Sequence, residues 1–491
     1  MSKSVKKNAI AKMILNILNV VLPLVTGPYL ARTLDVYLYG EYNTAFSILS
    51  WFIPFASFGI YNYGIRVVSQ NKHDQQKTEK IFTSLFCMGC ISTSIVLIIY
   101  FLFVFINPTK VNNLLYIVLS IQIIANIFMV EWMNEAFESY GFILFKTMTV
   151  RILNVVSIFI FVKKPDDIIP YAMVISMIAL INNLLSYIHI KKHISFCKVT
   201  KSELKALVKP LLIMLLLTNA NMFYTYLDKL FLSIFSEGKL VTYYTFSQSI
   251  TSIITSVINA VVVVTIPRLS RYVGEKNYIE YKKLLYSSSR VFFMIGIPMC
   301  IGLSVLAKPI MLLYGGENYI DAGMTMSIFA VRYILAMCDI TLANQVIFIY
   351  GKERLLTKLY FIGGGINLIL NSILAVLGKA TPELLILTTL ISEMFLIYMM
   401  VICIRKNINS DIKVLNKTTL RYFITALMFY PIAFIISKVV GFNLVVSISL
   451  IINIAIIIIA CALFYFIILF IKKDEALFQI LNIILYKFKR K

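Results

Sequence analysis

Charged residues are scarce in this sequence of 491 residues. Asp, Glu, Lys and Arg make up 14% of it, whereas about 25% of the residues in a typical soluble protein are charged. Hydrophobic residues make up 60%. A soluble globule of this length could not remove so much apolar surface from water, so the composition predicts a protein whose surface mostly contacts lipid.

Motifs of catalysis and metal binding are also absent from the sequence. None of the three histidines (His73, His189 and His193) belongs to a recognisable pattern of nucleophile and base, and no phosphate-binding P-loop occurs. Cys87 and Cys90 form a CxxC pair, but they lie in an apolar run, where cysteines behave as small hydrophobic residues. We therefore predict that the protein is not an enzyme and holds no metal or bound cofactor.

The net charge of +23 raises the alternative of a nucleic-acid-binding protein. The 46 lysines and arginines do not form one basic patch, however. They recur in short clusters between apolar runs, which is the pattern that sets the topology of membrane proteins. We therefore predict no nucleic-acid partner.

Fourteen apolar segments are long enough to cross a bilayer, which requires about 20 helical residues. The predicted spans, numbered one to fourteen in chain order, cover residues 9–32, 43–66, 81–106, 114–138, 142–162, 168–190, 208–235, 241–266, 285–313, 322–350, 355–378, 383–404, 419–438 and 443–471. No connection between them is long enough for a soluble domain. The sequence thus predicts an all-α integral membrane protein with about fourteen transmembrane helices.

Basic residues are unequally distributed between alternate connections of the predicted spans. When residues at span ends are counted with the adjoining connection, the side of the N-terminus holds 34 of the 46 lysines and arginines, the opposite side holds seven, and five lie deeper within spans. Because basic residues favour the cytoplasmic side, we predict a multi-pass protein of the bacterial inner membrane with both termini in the cytoplasm.

The longest basic connection, residues 191–209, follows span six and divides the chain into six spans, six further spans and a final pair. We predict a first lobe over residues 1–195, a second lobe over 196–408 and a C-terminal region over 409–491. Spans two and eight open with similar patterns, and parallel halves of six helices are a known plan of transporters. We expect the final pair to be peripheral and the tail after Lys472 to form a basic amphipathic helix on the cytoplasmic surface.

Prolines and glycines interrupt the apolar pattern of four spans. These residues are Pro23, Gly27 and Pro28 in span one, Pro54 in span two, Gly296 and Pro298 in span nine, and Gly363, Gly364 and Gly365 in span eleven. Backbone groups released by a break are tolerated where they face protein or a cavity. We expect these four spans to be broken.

Ionisable residues inside a bilayer are costly and usually face a partner or a cavity. Span four ends with four polar residues on one helical face, Glu131, Asn134, Glu135 and Glu138. They could form a cation or proton site near the cytoplasmic mouth. Alternatively, they pair with span five across a helical hairpin. Equal rise along its two arms then matches Glu131 with Arg151. It also matches Glu135 with Lys146.

Span seven carries the adjacent residues Asp228 and Lys229, together with the polar and aromatic residues Asn219, Asn221, Tyr224 and Tyr226. Neighbouring helical residues project about 100° apart, so the two charges do not simply neutralise each other. Lys229 is either a cation that lines a cavity or one partner of a salt bridge between helices.

Arg332 and Glu393 lie near the middle of spans ten and twelve. Asp339 follows Arg332 by seven residues and so lies on the same face, about 10 Å along the axis. Arg332 is either a central anion-binding charge or permanently paired with Glu393. For the cations nearer to helix ends, Arg32, Arg66 and Arg290, the alternative is a side chain that extends to the membrane interface.

Several motifs occur in a characteristic order along residues 5–400. They are Pro23, Pro28-Tyr29 and Ala31-Arg32 towards the end of span one, Tyr39-Gly40, the stretch from Asn126 to Tyr140, the stretch from Phe161 to Tyr171, Leu227-Asp228-Lys229, Pro267 to Ser270 and Tyr314 to Tyr319. Together they resemble the bacterial polysaccharide-repeat-unit flippases, the Wzx-type branch of the MOP exporter superfamily. One departure is Glu135-Ala136, where that family often has Gln-Gly.

The resemblance implies two six-helix lobes around a central cavity that opens alternately to each side of the membrane. It implies as cargo an undecaprenyl-diphosphate-linked oligosaccharide, which is moved from the cytoplasmic to the outer leaflet for a capsule, an exopolysaccharide or an O-antigen. Membrane lipids, a polysaccharide polymerase and glycosyltransferases are the expected partners.

For such a cargo, cations at different depths would bind the diphosphate. We expect them to be Arg32 and Lys229 outward, Arg332 midway, and Arg66 and Arg290 inward. The sugars would face Asn219, Asn221, Tyr224 and Tyr226. The membrane potential would drive an anion outward at about 2.3 kcal/mol per charge per 100 mV. Coupling to a Na⁺ or H⁺ gradient would use acids among Glu131, Asp228, Asp339 and Glu393.

Three other functions are alternatives. A multidrug exporter of the same superfamily carries mainly cations, and the cations within these spans argue against it. A flippase for the peptidoglycan lipid precursor uses the same lipid carrier and stays open. A non-transporting membrane scaffold for polysaccharide enzymes, from a different functional class, would not need charges at the middle of the membrane.

Overall fold

A computed structural model describes residues 22–106, 109, 111–219, 222, 226–408, 412, 414, 416–441 and 444–488. Within these residues the chain forms helices joined by short turns, and no strand is found among them. The predicted all-α class is therefore confirmed. By its contacts the chain divides into two compact units, residues 1–242 and 243–491. The lobe boundaries predicted from the sequence stay predictions.

The first unit contains ten helices in its described part and the first residues of an eleventh. They are α1 (22–33), α2 (Val36–Ser57), α3 (Ile60–Asn71), α4 (Gln75–Ile106), α5 (Asn113–Ala125), α6 (Glu131–Ala136), α7 (Tyr140–Phe161), α8 (Ile168–Lys191), α9 (Lys201–Thr218), α10 (Leu227–Phe235) and α11 (Gly238–Gly274). A 3₁₀ turn, Asn126–Phe128, separates α5 from α6.

The second unit contains the rest of α11 and nine further helices in its described part. They are α12 (Tyr278–Val305), α13 (Ala307–Gly315), α14 (Ala322–Leu342), α15 (Glu353–Val376), α16 (Pro382–Asn407), α17 (Lys417–Leu427), α18 (Phe429–Val440), α19 (Ile448–Ile471) and α20 (Glu475–Phe488). A π-helical segment, Ala343–Ile347, continues α14.

Twelve helical segments in the described part of the chain are long and apolar enough to cross a membrane. They correspond to predicted spans two to six and eight to fourteen. Span one is described only over residues 22–33, and span seven is described as two separate helices, α9 and α10. The multi-pass membrane class is confirmed, and the count of fourteen stays a prediction.

Side-chain caps fix the starts of several helices. Asp35 accepts hydrogen bonds from the backbone N–H groups of Tyr37 and Leu38 at the start of α2, which satisfies donors that have no partner within the first turn. Thr200 and Glu203 form a reciprocal capping box at the start of α9. Glu203 also lies 2.5 Å from the ammonium of Lys80. These bonds, led by that of Lys80, lower the pKa of Glu203 to about 2.

The expected breaks at proline and glycine are largely wrong. Helix α2 continues through Pro54 and turns only at Phe58 and Gly59, whose φ angles are 47° and 72°. Helix α12 is continuous through Pro298, α15 is continuous through its three glycines, and residues 22–33 are helical throughout. A proline removes only one hydrogen bond of a helix, and neighbouring helices restrain it, so a long helix can continue through one.

The backbones of α2 and the first turn of α11 approach each other closely. A Cβ atom on Gly40 would lie 2.3 Å from the carbonyl carbon of Gly238, which only glycine permits. One turn further along, Asn43 donates a hydrogen bond to the hydroxyl of Thr242 at 3.2 Å. These two contacts fix the crossing of the two helices within the first unit.

Of the C-terminal helices, α17 and α20 pack mainly against α12, whereas α18 and α19 pack mainly against each other. Asp474, which is 2% exposed, anchors the start of α20. It pairs with Arg421 and accepts a hydrogen bond from the hydroxyl of Tyr422 at 2.9 Å. The tail therefore forms a helix as expected. The buried contacts of Asp474 hold the start of this helix against α17.

Candidate functional site

A buried ion pair joins three helices of the first unit. The ammonium of Lys146, on α7, lies 2.9 Å from a carboxylate oxygen of Glu131, on α6, and the Lys146 side chain is only 3% exposed. The same ammonium donates to the hydroxyl of Ser186, on α8, at 2.7 Å. Ser186 and Asn134 donate to the Glu131 carboxylate as well. One carboxylate oxygen of Glu131, Oε2, thus contacts all three groups.

This geometry corrects the pairing predicted for the hairpin. Glu131 contacts Lys146 instead of Arg151, and Glu135 instead accepts a hydrogen bond from the hydroxyl of Tyr61 at 2.9 Å. The prediction assumed equal rise along two unbroken arms. The 3₁₀ turn before α6 and the turn after Ala136 leave α6 only six residues long, so sequence distance from the turn no longer measures depth.

Asp228 and Lys229 lie in the first turn of α10. Asp228 is fully buried and Lys229 is half-buried. Within the described part of the chain, Lys229 forms no ion pair. The start of α10 is tied to α2, because the indole N–H of Trp51 donates to the carbonyl oxygen of Tyr226 at 3.2 Å. The geometry therefore presents a half-buried cation on a helix that is held in place by a neighbour.

The polar residues predicted to face sugars are only partly described. Asn219 donates to the carbonyl oxygen of Leu215 at 3.0 Å and so caps its own helix. Tyr226 is half-buried. Asn221 and Tyr224 lie outside the described residues.

Arg332 and Glu393 form a two-bond ion pair in the second unit. The Nε of Arg332 lies 3.1 Å from one carboxylate oxygen of Glu393, and a terminal guanidinium nitrogen bonds the other oxygen. The two side chains are 14% and 8% exposed. Of the two interpretations of Arg332, the paired one describes this geometry. On the same helix, both carboxylate oxygens of Asp339 lie 3.1 Å from the hydroxyl of Tyr360.

Neutral polar contacts also join α15 and α16. Asn367 donates to the hydroxyl of Thr389 at 2.6 Å, and the hydroxyl of Thr388 donates to Asn371 at 2.5 Å. All four residues are buried. Sequence reasoning missed them because it searched for ionisable groups. The available signal was two asparagines four residues apart in an apolar span.

The other three predicted cations have distinct surroundings. Arg290 pairs with Glu475 at the start of α20 and so anchors the tail. We had expected it to be an uncompensated charge in the cavity, and the pairing corrects that expectation. The guanidinium of Arg66 is exposed and lies 5.5 Å from the ring centre of Tyr63. Arg32 is exposed near the end of α1. The exposed positions of Arg66 and Arg32 fit the alternative of side chains that extend to the membrane interface.

The family model described as "Polysaccharide biosynthesis protein" matches residues 5–273, which is more than half of the chain. The chain belongs to this family. A protein of Shigella dysenteriae named "Putative O-antigen transporter" is 22% identical over 379 residues, which cover 74% of this chain and 91% of that protein. These matches confirm the resemblance to Wzx-type flippases.

Solved structures give the fold. The lipid II flippase MurJ in an inward closed conformation aligns with a TM-score of 0.70 at 15% identity, over 94% of this chain and 98% of that one. An inward-facing multidrug transporter of the MATE family, in the MOP superfamily, aligns with a TM-score of 0.60 at 11% identity, over 79% of this chain and 98% of the other. The chain therefore shares the fold of these two solved structures.

Proposed function

We propose that this protein is a flippase of the bacterial plasma membrane. It moves an undecaprenyl-diphosphate-linked oligosaccharide from the cytoplasmic to the outer leaflet for synthesis of a surface polysaccharide. It does so by alternating access, with lobes at residues 1–195 and 196–408 around a central cavity, and without covalent chemistry. Membership in a polysaccharide biosynthesis family and the name of the Shigella dysenteriae relative support this cargo class over a drug or a peptidoglycan precursor.

One observation carries the proposal beyond the family. Lys229 is a half-buried cation inside predicted span seven, and it has no ion pair within the described part of the chain. Cations in such places are expensive unless they serve a ligand or a partner. In contrast, Lys146 and Arg332 each contact an acid directly. Of the five cations predicted to bind the diphosphate, Lys229 is thus the one best placed to receive an anionic cargo.

The cargo fits this charge. A sugar-diphosphate head cannot cross bare hydrocarbon, because its polar and charged groups would lose their water without replacement. A cation in a polar passage supplies that replacement, while the lipid tail stays in the bilayer. With about 2.3 kcal/mol per charge per 100 mV, a diphosphate with two negative charges gains roughly 4–5 kcal/mol when it moves outward. That gain sets a direction without ATP.

A complementation experiment tests the proposal. The gene is deleted in the source bacterium and replaced by the wild type, by Lys229→Gln, by Lys229→Arg or by the matched control Lys438→Gln, which removes an exposed lysine of α18. Surface polysaccharide and undecaprenyl-diphosphate-linked repeat units in the cell are measured. We expect the deletion and Lys229→Gln to lose the polymer and accumulate the lipid-linked unit, whereas Lys229→Arg and Lys438→Gln make normal polymer.

Two outcomes would count against it. Normal surface polysaccharide in the deletion strain would refute the function. Normal polymer from Lys229→Gln, at wild-type protein levels, would refute the role of Lys229 while leaving the function intact.

A further inference from the structure

Arg151 lies at the middle of a membrane-spanning helix, far from both of its ends. It is the twelfth of the 22 residues of α7, so it lies about 16 Å along the axis from the first residue and about 15 Å from the last. An arginine side chain is much shorter than either distance. Arg151 therefore cannot extend to a membrane interface in the way that a cation near a helix end does.

The acid expected to neutralise Arg151 is occupied. Glu131 is held by Lys146, Ser186 and Asn134. Within the described residues, Arg151 is half-buried and forms no ion pair. A permanent charge at the middle of a span is retained only where a partner or a ligand stabilises it.

Arg151 lies on the packed side of its helix. The residues of α7 that are most shielded include Lys146, Val150 and Ile158. At 100° per residue, Arg151 lies about 20° from Ile158 around the helix, and Asn154 lies about 40° from it on the other side. The apolar residues of the opposite face are exposed, with Ile152 at 55% and Ile160 at 54%. Arg151 is therefore turned away from the face that suits lipid.

Unsatisfied and half-buried amides surround this position. The side-chain oxygen of Asn154 is buried and has no hydrogen-bond partner among the described residues. Lys146 contacts Ser186 on the antiparallel helix α8. Five residues further along α7 lies Arg151, and five residues back along α8 lies Ile181, the neighbour of Asn182, so Asn182 is within one residue of the level of Arg151. Asn182 is half-buried and donates to the neighbouring side chain of Asn183 at 3.2 Å. Buried polar atoms without partners are rare and call for an explanation.

We infer that Arg151 is a further anion-binding residue of the first unit. It holds the phosphate of the lipid-linked cargo, and Asn154 and Asn182 present amide groups to the sugar hydroxyls beside it. This inference rests on the proposed function and adds to it a cation and two amides of the cargo site. A guanidinium can donate two parallel hydrogen bonds to one phosphate, a geometry that an ammonium cannot provide.

Purified full-length protein in liposomes tests the inference. The probe is radiolabelled undecaprenyl diphosphate carrying one N-acetylhexosamine. Binding and transbilayer movement are measured for the wild type, Arg151→Gln, Arg151→Lys and the matched control Arg271→Gln, which removes an exposed arginine of α11. We expect Arg151→Gln to weaken probe binding by about tenfold or more, as loss of a hydrogen bond to a charged group would. Arg151→Lys should keep most of the binding, and Arg271→Gln should equal the wild type.

Thermal unfolding separates this role from a structural one. If Arg151 receives a ligand, Arg151→Gln removes an uncompensated charge and leaves the unfolding temperature of the empty protein unchanged or raised. If Arg151 is instead one half of a structural pair, the same change lowers that temperature. Wild-type binding by Arg151→Gln, or a lowered unfolding temperature, would overturn the inference. A wild type that binds the probe without moving it would refute the proposed function alone.

Discussion

The buried pair of Lys146 and Glu131 gives a stability prediction that follows directly from the structure. Lys146→Ala removes the ammonium and leaves the Glu131 carboxylate with only the hydrogen bonds of Ser186 and Asn134. The Lys146 side chain is 3% exposed and that of Glu131 is 18% exposed, so water cannot replace the missing charge.

The expected size of the effect depends on this burial. Removing one partner of a buried ion pair costs about 3–5 kcal/mol, because the other charge is left unpaired in a poorly polarisable interior. The pair of Lys77 and Asp74 is a matched control, since its side chains are 69% and 44% exposed at a distance of 3.3 Å. An exposed pair contributes about 0–1 kcal/mol, so Lys77→Ala should hardly change the free energy of unfolding.

Unfolding by SDS in mixed micelles, followed by tryptophan fluorescence, measures both variants. The sequence has two tryptophans, and Trp132 is buried beside Glu131, so the signal reports on this region. The double variant Lys146→Met with Glu131→Gln should recover most of the loss, because it leaves no unpaired charge. A loss below about 1 kcal/mol for Lys146→Ala, or no recovery in the double variant, would refute this reasoning.

Two further predictions concern backbone contact and the tail. Gly40→Ala should destabilise the protein by about 1–3 kcal/mol, because its Cβ would overlap the backbone of Gly238. Gly141→Ala, whose Cβ would meet nothing within 4 Å, should be neutral or slightly stabilising, and equal unfolding free energies for the two variants would contradict the close contact. Asp474→Asn should release the start of α20 and speed cleavage by trypsin after Lys473, and an unchanged cleavage rate would contradict the anchoring role of Asp474.

Composition and apolar run length were sufficient to predict the membrane class, because lipid as a solvent constrains both directly. The family resemblance was equally accessible, since it rests on the order of short motifs. Partners of charged residues were harder to predict. The pairing of Arg332 with Glu393 stayed open because similar predicted depths permit an ion pair but do not require one. The partner of Glu131 was assigned wrongly because α6 is short and no sequence signal marked its ends.

Two features were beyond sequence reasoning for a different reason. The persistence of α2 through Pro54 depends on tertiary packing, which overrides local propensity. The unusual status of Arg151 became visible only when the acid assigned to it was found with another partner. In both cases, the free-energy cost of a proline or a charge within a helix depends on the residues packed around it in the fold.

The most direct test of the central claim is transbilayer movement by the purified protein. Liposomes containing the wild type receive undecaprenyl diphosphate linked to a labelled sugar, and the accessible fraction on each face is followed with and without an imposed potential of 100 mV. The account predicts protein-dependent movement that becomes faster when the potential drives the anion across. Liposomes that show no movement, while the same protein still binds enzymes of polysaccharide synthesis, would contradict the account and favour a scaffold.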